Sequence, residues 1–375
     1  MRGLVSVATS WLVVAVGAAS CRSVIGIEDL PLAPRDAGSD GPSECQPGAR
    51  ECVGRTPRVC DPNGSWRDEP ACSSSEAPGC SGGMCVPLPS CKNLAANCGA
   101  SGKETCCASP LVAGGTFRRS YDKMTFADSS YSAEIASFSL DRYEITVGRF
   151  RAFVDAGKGT QASPPREGDG AHPLIKGSGW SAAWNEDLAK DTAALKYALE
   201  CDSAYRTFTA TSEIGENRPI NCITWYEAFA FCAWDGARLP TEAEWNYAAS
   251  GGVDQREYPW GETIDPTYAV MGCSADGDAG CASADILAVG SRSPKGDGAW
   301  GHSDLAGNLS EWTLDWLVEP FGIQNCVNCA ELADRITRAV RGGAFNMSGG
   351  NLRASVRGGN APGARASFLG ARCAR

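Results

Sequence analysis

Histidine is nearly missing from this chain: His172 and His302 are the two in 375 residues. Zinc sites of the Cys/His type need clustered imidazoles and are left without support. Basic charge is also short, with 34 Lys+Arg against 44 Asp+Glu and a formal net charge of -10. That balance excludes nucleic acid as a partner, because nothing would displace phosphate counterions. Beyond residue 20 no apolar run approaches the roughly 18 residues that span a bilayer. A further gap is local: no cysteine lies between Cys329 and Cys373, in a chain that has 19.

What is present is organised by those cysteines. Residues 1–20 carry Arg2, an apolar stretch and small residues before Cys21, the pattern of a secretory signal. Small residues followed by Cys21 suit a bacterial lipobox, although Ala18 stands where Leu is usual. Acylation of Cys21 would anchor the chain to a membrane; an ordinary cleaved signal is the alternative. Setting Cys21 aside leaves 18 cysteines, an even number: ten from Cys45 to Cys107 and eight from Cys201 to Cys373. Internal pairing in an oxidising compartment follows. An exported cell-envelope lipoprotein, at the outer membrane or cell surface, is the expected localisation.

Residues 21–44, rich in Pro, Gly, Ser and acid, read as a flexible tether. Residues 45–90 form a small module with six cysteines, Trp66 and an Asn63-Gly64 turn, too small to fold without bridges. A stiff spacer is preferred for it over a binding module. Residues 91–375 make one larger domain, entered through two bridges among Cys91, Cys98, Cys106 and Cys107. Its abundant glycine and short apolar runs suit a loop-rich α+β fold.

The legible centre of that domain is residues 219–250, PINCITWYEAFAFCAWDGARLPTEAEWNYAAS. Thr224 with Glu227, and Thr241 with Glu244, are capping boxes opening two short helices. Gly236 stands at a C-terminal left-handed position, and Gly251 and Gly252 end the second helix. This block, with its RLPTEAEW run, resembles the formylglycine-generating-enzyme (sulfatase-modifying-factor) family. Residues 137–157, the YPWGE turn at 258–262, SDLAGNLSEWTLDW at 303–316 and the closing segment 341–373 resemble the same family in the same order. The resemblance implies a low-regularity C-type lectin-like fold.

It also implies chemistry, some of which this chain lacks. The family's oxidase site is a cysteine pair that holds copper(I) shortly after the RGG strand, and soft thiolates are what copper(I) takes. Here Met347 falls near the first position and Gly349 near the second, with no cysteine in residues 343–353. Ser310 stands where the family often has an aromatic residue. Copper is therefore not expected as a cofactor, nor copper-dependent oxidase activity. The sulfoxide-synthase branch needs an iron-binding histidine triad, which two isolated histidines do not supply; both are expected on surface or loop. The resemblance further implies a Cys232–Cys373 bridge, while the positions of a second family bridge are Ala249 and Ala354. The six remaining cysteines suggest local bridges Cys201–Cys222, Cys273–Cys281 and Cys326–Cys329. The last, CVNC, has a redox-active dithiol as its alternative reading, disfavoured because no strand-to-helix setting precedes it.

Calcium is the expected structural cofactor. The family pattern implies ligands at Asp304, Gly307, Leu309 and Glu311, two carboxylates and two carbonyls of the hard oxygen type. The alternative is that Asp304 caps a turn and Glu311 pairs with a strand arginine. A second family calcium site loses its side-chain amide to Val270. The arginines 341, 353, 357, 365 and 372 are expected to bridge carbonyls and carboxylates such as Glu144 or Glu242. Trp180, Trp184, Tyr197 and Tyr205 either line a cleft or pack. These readings give a non-catalytic domain binding a protein, peptide or glycan through the lectin-like cleft. The alternatives are a formylglycine-generating oxidoreductase and a structural envelope component.

Overall fold

The computed structural model describes residues 45–375 apart from 54, 55, 71, 73–78, 82, 124, 213 and 214. The signal, Cys21 and the tether lie outside the described residues.

The small module is built of hairpins. Strands β1 (Arg50–Val53), β2 (Thr56–Cys60) and β3 (Trp66–Asp68) form an antiparallel sheet, with β4 (Gly79–Ser81) and β5 (Met84–Val86) as a separate pair. Cys45–Cys60 and Cys72–Cys85 staple it. Arg58 lies over the Trp66 ring at 4.8 Å, covering the module's main aromatic. Ser90 is buried and belongs to the larger domain: its N–H donates to Asp235 at 2.9 Å and its hydroxyl accepts from Arg149 at 3.0 Å. The bridges Cys91–Cys107 and Cys98–Cys106 follow directly.

In the larger domain two minor sheets come first: β6 (Leu111–Val112) with β9 (Phe138–Ser139), and β7 (Gly115–Arg118) with β8 (Ser132–Ile135) and β11 (Cys326–Val327). Helix α1 (Val147–Asp155) is capped by Thr146, and Phe150, Phe153 and Val154 make its buried face. Helix α2 (Thr192–Ala198) follows, capped by Asp191. Helices α3 (Trp225–Trp234) and α4 (Glu242–Ala249) each start on a complete capping box. Gly236 has φ 68°, as a left-handed terminus requires.

The main sheet has the order β13-β12-β10-β14, from β10 (Ser310–Trp316), β12 (Arg338–Arg341), β13 (Gly358–Asn360) and β14 (Leu369–Gly370). Every residue of β10 is buried, because α3 and α4 cover it. Trp225 and Trp312 each donate an indole N–H to a carbonyl, of Thr313 and Ile223, so these two core rings bury no unpaired donor. Trp180 and Trp184 pack against Trp225 and Phe229 and are core residues rather than cleft walls.

The Cys232–Cys373 bridge ties α3 to the C-terminal segment across 141 residues. Cys201–Cys222, Cys273–Cys281 and Cys326–Cys329 are also joined. Ala249 and Ala354 share one buried cluster, so apolar packing stands where the second family bridge would be. Nearby, the fully buried Arg149 pairs with Asp141 at 2.8 Å and Asp235 at 2.7 Å, and Arg375 pairs with the same two aspartates. Two cations against two carboxylates balance the charge that burial makes expensive.

Candidate binding cleft

Between β12, β13 and the loop that follows β12 lies a cleft of about 300 Å³. Two Gly-Gly pairs, 342–343 and 358–359, keep its walls low, and Ser310, Met347, Asn351, Asn360 and Phe368 give it side chains. The sequence marks Ser310 and Met347 as cleft residues; it does not mark Asn351, Asn360 or Phe368. Asn360 is the one with a signal, a polar residue closing a Gly-Gly run on a strand that the fold leaves at the sheet edge.

The floor is electrostatic and already committed. Glu242 accepts from Arg341 Nε at 2.9 Å and from Arg357 Nε and Nη2, each at 2.7 Å. Arg341 spends its other nitrogens on the carbonyls of Ala354 and Val356 and the Ser120 hydroxyl. Burial alone would raise the Glu242 carboxyl, but the two guanidiniums outweigh it and hold it low. Beside it, burial and then Glu242 push Asp315 up to about 7 while it accepts the backbone N–H groups of Glu242 and Glu331. The other closing arginines are likewise structural: Arg353 pairs with Glu257, Arg365 with Glu227 and Arg372 with Glu311.

Met347 is half-buried and packs among residues such as Phe345, Leu309 and Tyr258, while its carbonyl accepts from Gly272 at 3.0 Å. A thioether used as packing is a poor start for a metal site. At Gly349 a Cβ would stand 2.6 Å from Ile264 Cγ1, so a side chain there requires the exposed Ile264 side chain to shift. Among the described residues no three His, Cys, Asp or Glu side chains gather to hold a metal.

The expected calcium turn has its own order. Asp304 takes φ 57°, and its Oδ2 accepts from Gly290 N–H at 2.6 Å; burial pushes its carboxyl up to about 6. Glu311 is held by the Arg372 fork, at 2.7 Å from Nε and from Nη2, and accepts from Trp245 Nε1 at 2.8 Å. Glu144, unmarked as a turn residue in the sequence, accepts from Leu309 N–H and the Asn308 amide, each at 2.9 Å. Burial, then Asp304 and Glu311, drive the Glu144 carboxyl well upward. Carbonyls and an uncommitted Asp304 oxygen suit calcium, but Glu311 is bound to a guanidinium and an indole. As arranged, the four residues do not form a calcium cage.

His172 and His302 lie in loops, as expected, but are buried and are not surface residues. His172 Nε2 lies 3.2 Å from Glu244, whose carboxyl also takes the Arg238 fork and caps α4. His302 Nε2 lies 3.2 Å from the Leu140 carbonyl, and burial, aided by Arg372, pushes its imidazole down to about 3.

A cleft with amides, a hydroxyl, a thioether and a phenyl ring, above arginines already paired, can form hydrogen bonds and apolar contacts. Comparisons place this geometry. The family model described as "Sulfatase-modifying factor enzyme 1-like domain" matches residues 95–375. The formylglycine-generating enzyme of Streptomyces coelicolor is 29% identical over 265 residues, covering 65% of this chain and 80% of that protein. The mouse formylglycine-generating enzyme is 26% identical over 273 residues, and the match spans 64% of this chain and 66% of that protein. The bovine protein named inactive C-alpha-formylglycine-generating enzyme 2 is 29% identical over 262 residues, covering 64% of this chain and 77% of that protein. Among solved structures, PvdO from Pseudomonas aeruginosa superposes with a TM-score of 0.51 at 18% identity, covering 72% of this chain and 94% of PvdO, which speaks to the fold. With the RLPTEAEW helix start, the Gly-Asn turn before β10 and the closing RGG strand all in place, the chain belongs to the sulfatase-modifying factor enzyme 1-like domain family.

Proposed function

We propose that this protein is a binding member of the family: an exported, envelope-anchored domain that holds a protein, peptide or glycan in the β12–β13 cleft and does not oxidise cysteine. The observation that carries the proposal is the content of the cleft, where Met347 packs and no cysteine stands among the lining residues. Copper(I) oxidation of a substrate cysteine requires soft ligands, and one packed thioether is a weak substitute for two thiolates. Similarity does not decide the matter, since 29% identity is shared with a protein named as an enzyme and one named as inactive. The disulfides support an oxidising compartment and so favour export.

The deciding experiment is a copper(I) titration of the full chain, paired with a formylglycine assay on a sulfatase-type peptide. The expected result is no stoichiometric copper(I) binding and no aldehyde product; conversion of the peptide would establish the oxidoreductase reading instead. Binding is tested by probing peptide and glycan arrays with the wild type and with Met347→Arg, which fills the cleft. Signals lost in the variant support the cleft as the site, and signals kept in the variant place binding elsewhere.

A further inference from the structure

The CVNC turn closes a disulfide between Cys326 and Cys329, three residues apart. Cys326 is buried, at 2% exposure, while Cys329 is half-buried, so one sulfur is open to attack and its partner is screened. The backbone of the turn is held independently of the S–S bond. Cys326 and Val327 pair with Ala133 and Glu134 of β8, and Asn328 N–H donates to the Glu134 carbonyl at 3.0 Å. The Asn328 side-chain oxygen accepts from Ala136 N–H at 2.7 Å. Opening the bridge therefore leaves the backbone contacts of residues 326–328 intact.

A cation faces this turn. Arg119 is 3% exposed and directs Nη1 at Cys329 Sγ, 3.9 Å away. Its Nη2 donates to the carbonyls of Ile323 and Gln324, and its Nε has no partner. Among the described residues no carboxylate is ion-paired with it; Glu242, Asp315 and Glu331 act on it only through space. A buried guanidinium without a counter-ion is costly. A thiolate at Cys329 would supply the missing negative charge. Reactive dithiols of the thioredoxin kind take positive potential from a helix start; no helix follows Cys329, and the guanidinium stands in that role.

We propose that Cys326–Cys329 is a redox-active disulfide that oxidises dithiols, with Cys329 as the sulfur attacked and Arg119 stabilising its thiolate in the reduced state. A substrate thiolate attacks Cys329 Sγ, the Cys326–Cys329 bond breaks, and the Cys326 sulfur leaves and takes a proton. The second substrate thiolate then attacks the substrate sulfur of the mixed disulfide. The substrate leaves as a disulfide, Cys329 is released as a thiolate beside Arg119, and two electrons have passed from substrate to protein. Stabilising the reduced form makes the disulfide more oxidising. Arg119 also lines a cleft of about 490 Å³ with Phe126, Tyr131 and Phe321, which gives apolar flanks of a peptide dithiol a place to lie. This activity is independent of the β12–β13 cleft.

The test equilibrates the full chain in glutathione redox buffers, traps thiols by alkylation and maps the peptides. In the wild type, Cys326–Cys329 is expected to open at a ratio of reduced to oxidised glutathione at least a hundredfold lower than Cys232–Cys373 does. Arg119→Met should lower the equilibrium constant for reducing this bridge at least tenfold, about 30 mV for a two-electron couple, while Arg119→Lys retains most of it. Single-turnover oxidation of a peptide dithiol should consume one disulfide per chain, and Cys326→Ser, which has no bridge for the peptide to attack, should oxidise none. Opening of this bridge only together with Cys232–Cys373 overturns the proposal whatever becomes of the variants. Equal equilibrium constants for wild type and a folded Arg119→Met overturn it as well.

Discussion

Glu311→Gln separates two accounts of the turn before β10. In the structure Glu311 is buried at the meeting point of Arg372 and the Trp245 indole, and neither partner charge reaches water. Glutamine keeps one acceptor for the indole but turns its NH₂ toward a guanidinium that then has no counter-charge. Removing one partner of a buried pair costs about 3–5 kcal/mol. For a domain of this size that corresponds to a fall in melting temperature on the order of 10 °C. The loss should be the same with calcium present or chelated, because it comes from an orphaned cation. If calcium held the turn, a hundredfold excess over its dissociation constant would add about 2.7 kcal/mol to the wild type and little to the variant. Melting curves of both proteins, in chelator and in millimolar-range calcium, read the difference. A wild-type melt lowered by chelator, with a variant indifferent to it, would refute the ion-pair account.

Three further outcomes follow from the same coordinates. Replacing Cys232 and Cys373 by alanine opens a 141-residue loop and should cost about 5 kcal/mol by the chain-entropy relation, read in denaturant unfolding at fixed pH. His302, whose imidazole is pushed down to about 3 from 6.5, contributes stability that is present above pH 6.5 and is lost as pH falls toward 3. His302→Phe should therefore lose about 1.4 kcal/mol less per pH unit than the wild type across that window. Asp304 works in the opposite sense: its carboxyl is pushed up to about 6 from 3.8, so its contribution is complete below pH 3.8 and is lost as pH rises through 6. Asp304→Asn should gain on the wild type between pH 4 and pH 7, by roughly 3 kcal/mol at most in urea unfolding.

The parts of the fold that could be read from the sequence are those with short-range signals. Thr224 with Glu227 and Thr241 with Glu244 are three residues apart, and each box closes within its own helix. Cysteines near in sequence found each other for the same reason, as in Cys201–Cys222. The Asp141–Arg149–Asp235–Arg375 cluster was not legible, because its members come from four separate segments and carry no local pattern. The same holds for Arg119: nothing near it in sequence announces a contact with Cys329, 210 residues away. His172 and His302 lie in loops as expected, but their burial was not legible, because burial of a lone histidine depends on distant acceptors, here Glu244 and the Leu140 carbonyl. Glu242 was legible as an arginine partner, but not as the shared acceptor of two arginines beneath a cleft.

That arrangement explains how the family scaffold persists here without the family's thiolates. The clamps that fix the cleft are anchored on α3, α4 and β10: Glu227 holds Arg365, Glu242 holds Arg341 and Arg357, and Glu311 holds Arg372. None of these contacts involves residues 343–351, the loop on which the copper-binding cysteines of the family would stand. Arg353, at the loop's far end, makes an ion pair with Glu257, and the loop is otherwise tied down through its backbone, as where Gly272 N–H donates to the Met347 carbonyl at 3.0 Å. Loop chemistry and scaffold stability are thus nearly independent, in the way that functional loops are carried on rigid elements. Exchanging cysteines for Met347 and Gly349 changes what the cleft can touch and leaves the ion pairs beneath it intact. The prediction of binding without oxidation rests on that independence, since a folded cleft with altered walls still presents Ser310, Asn351, Asn360 and Phe368 to a ligand.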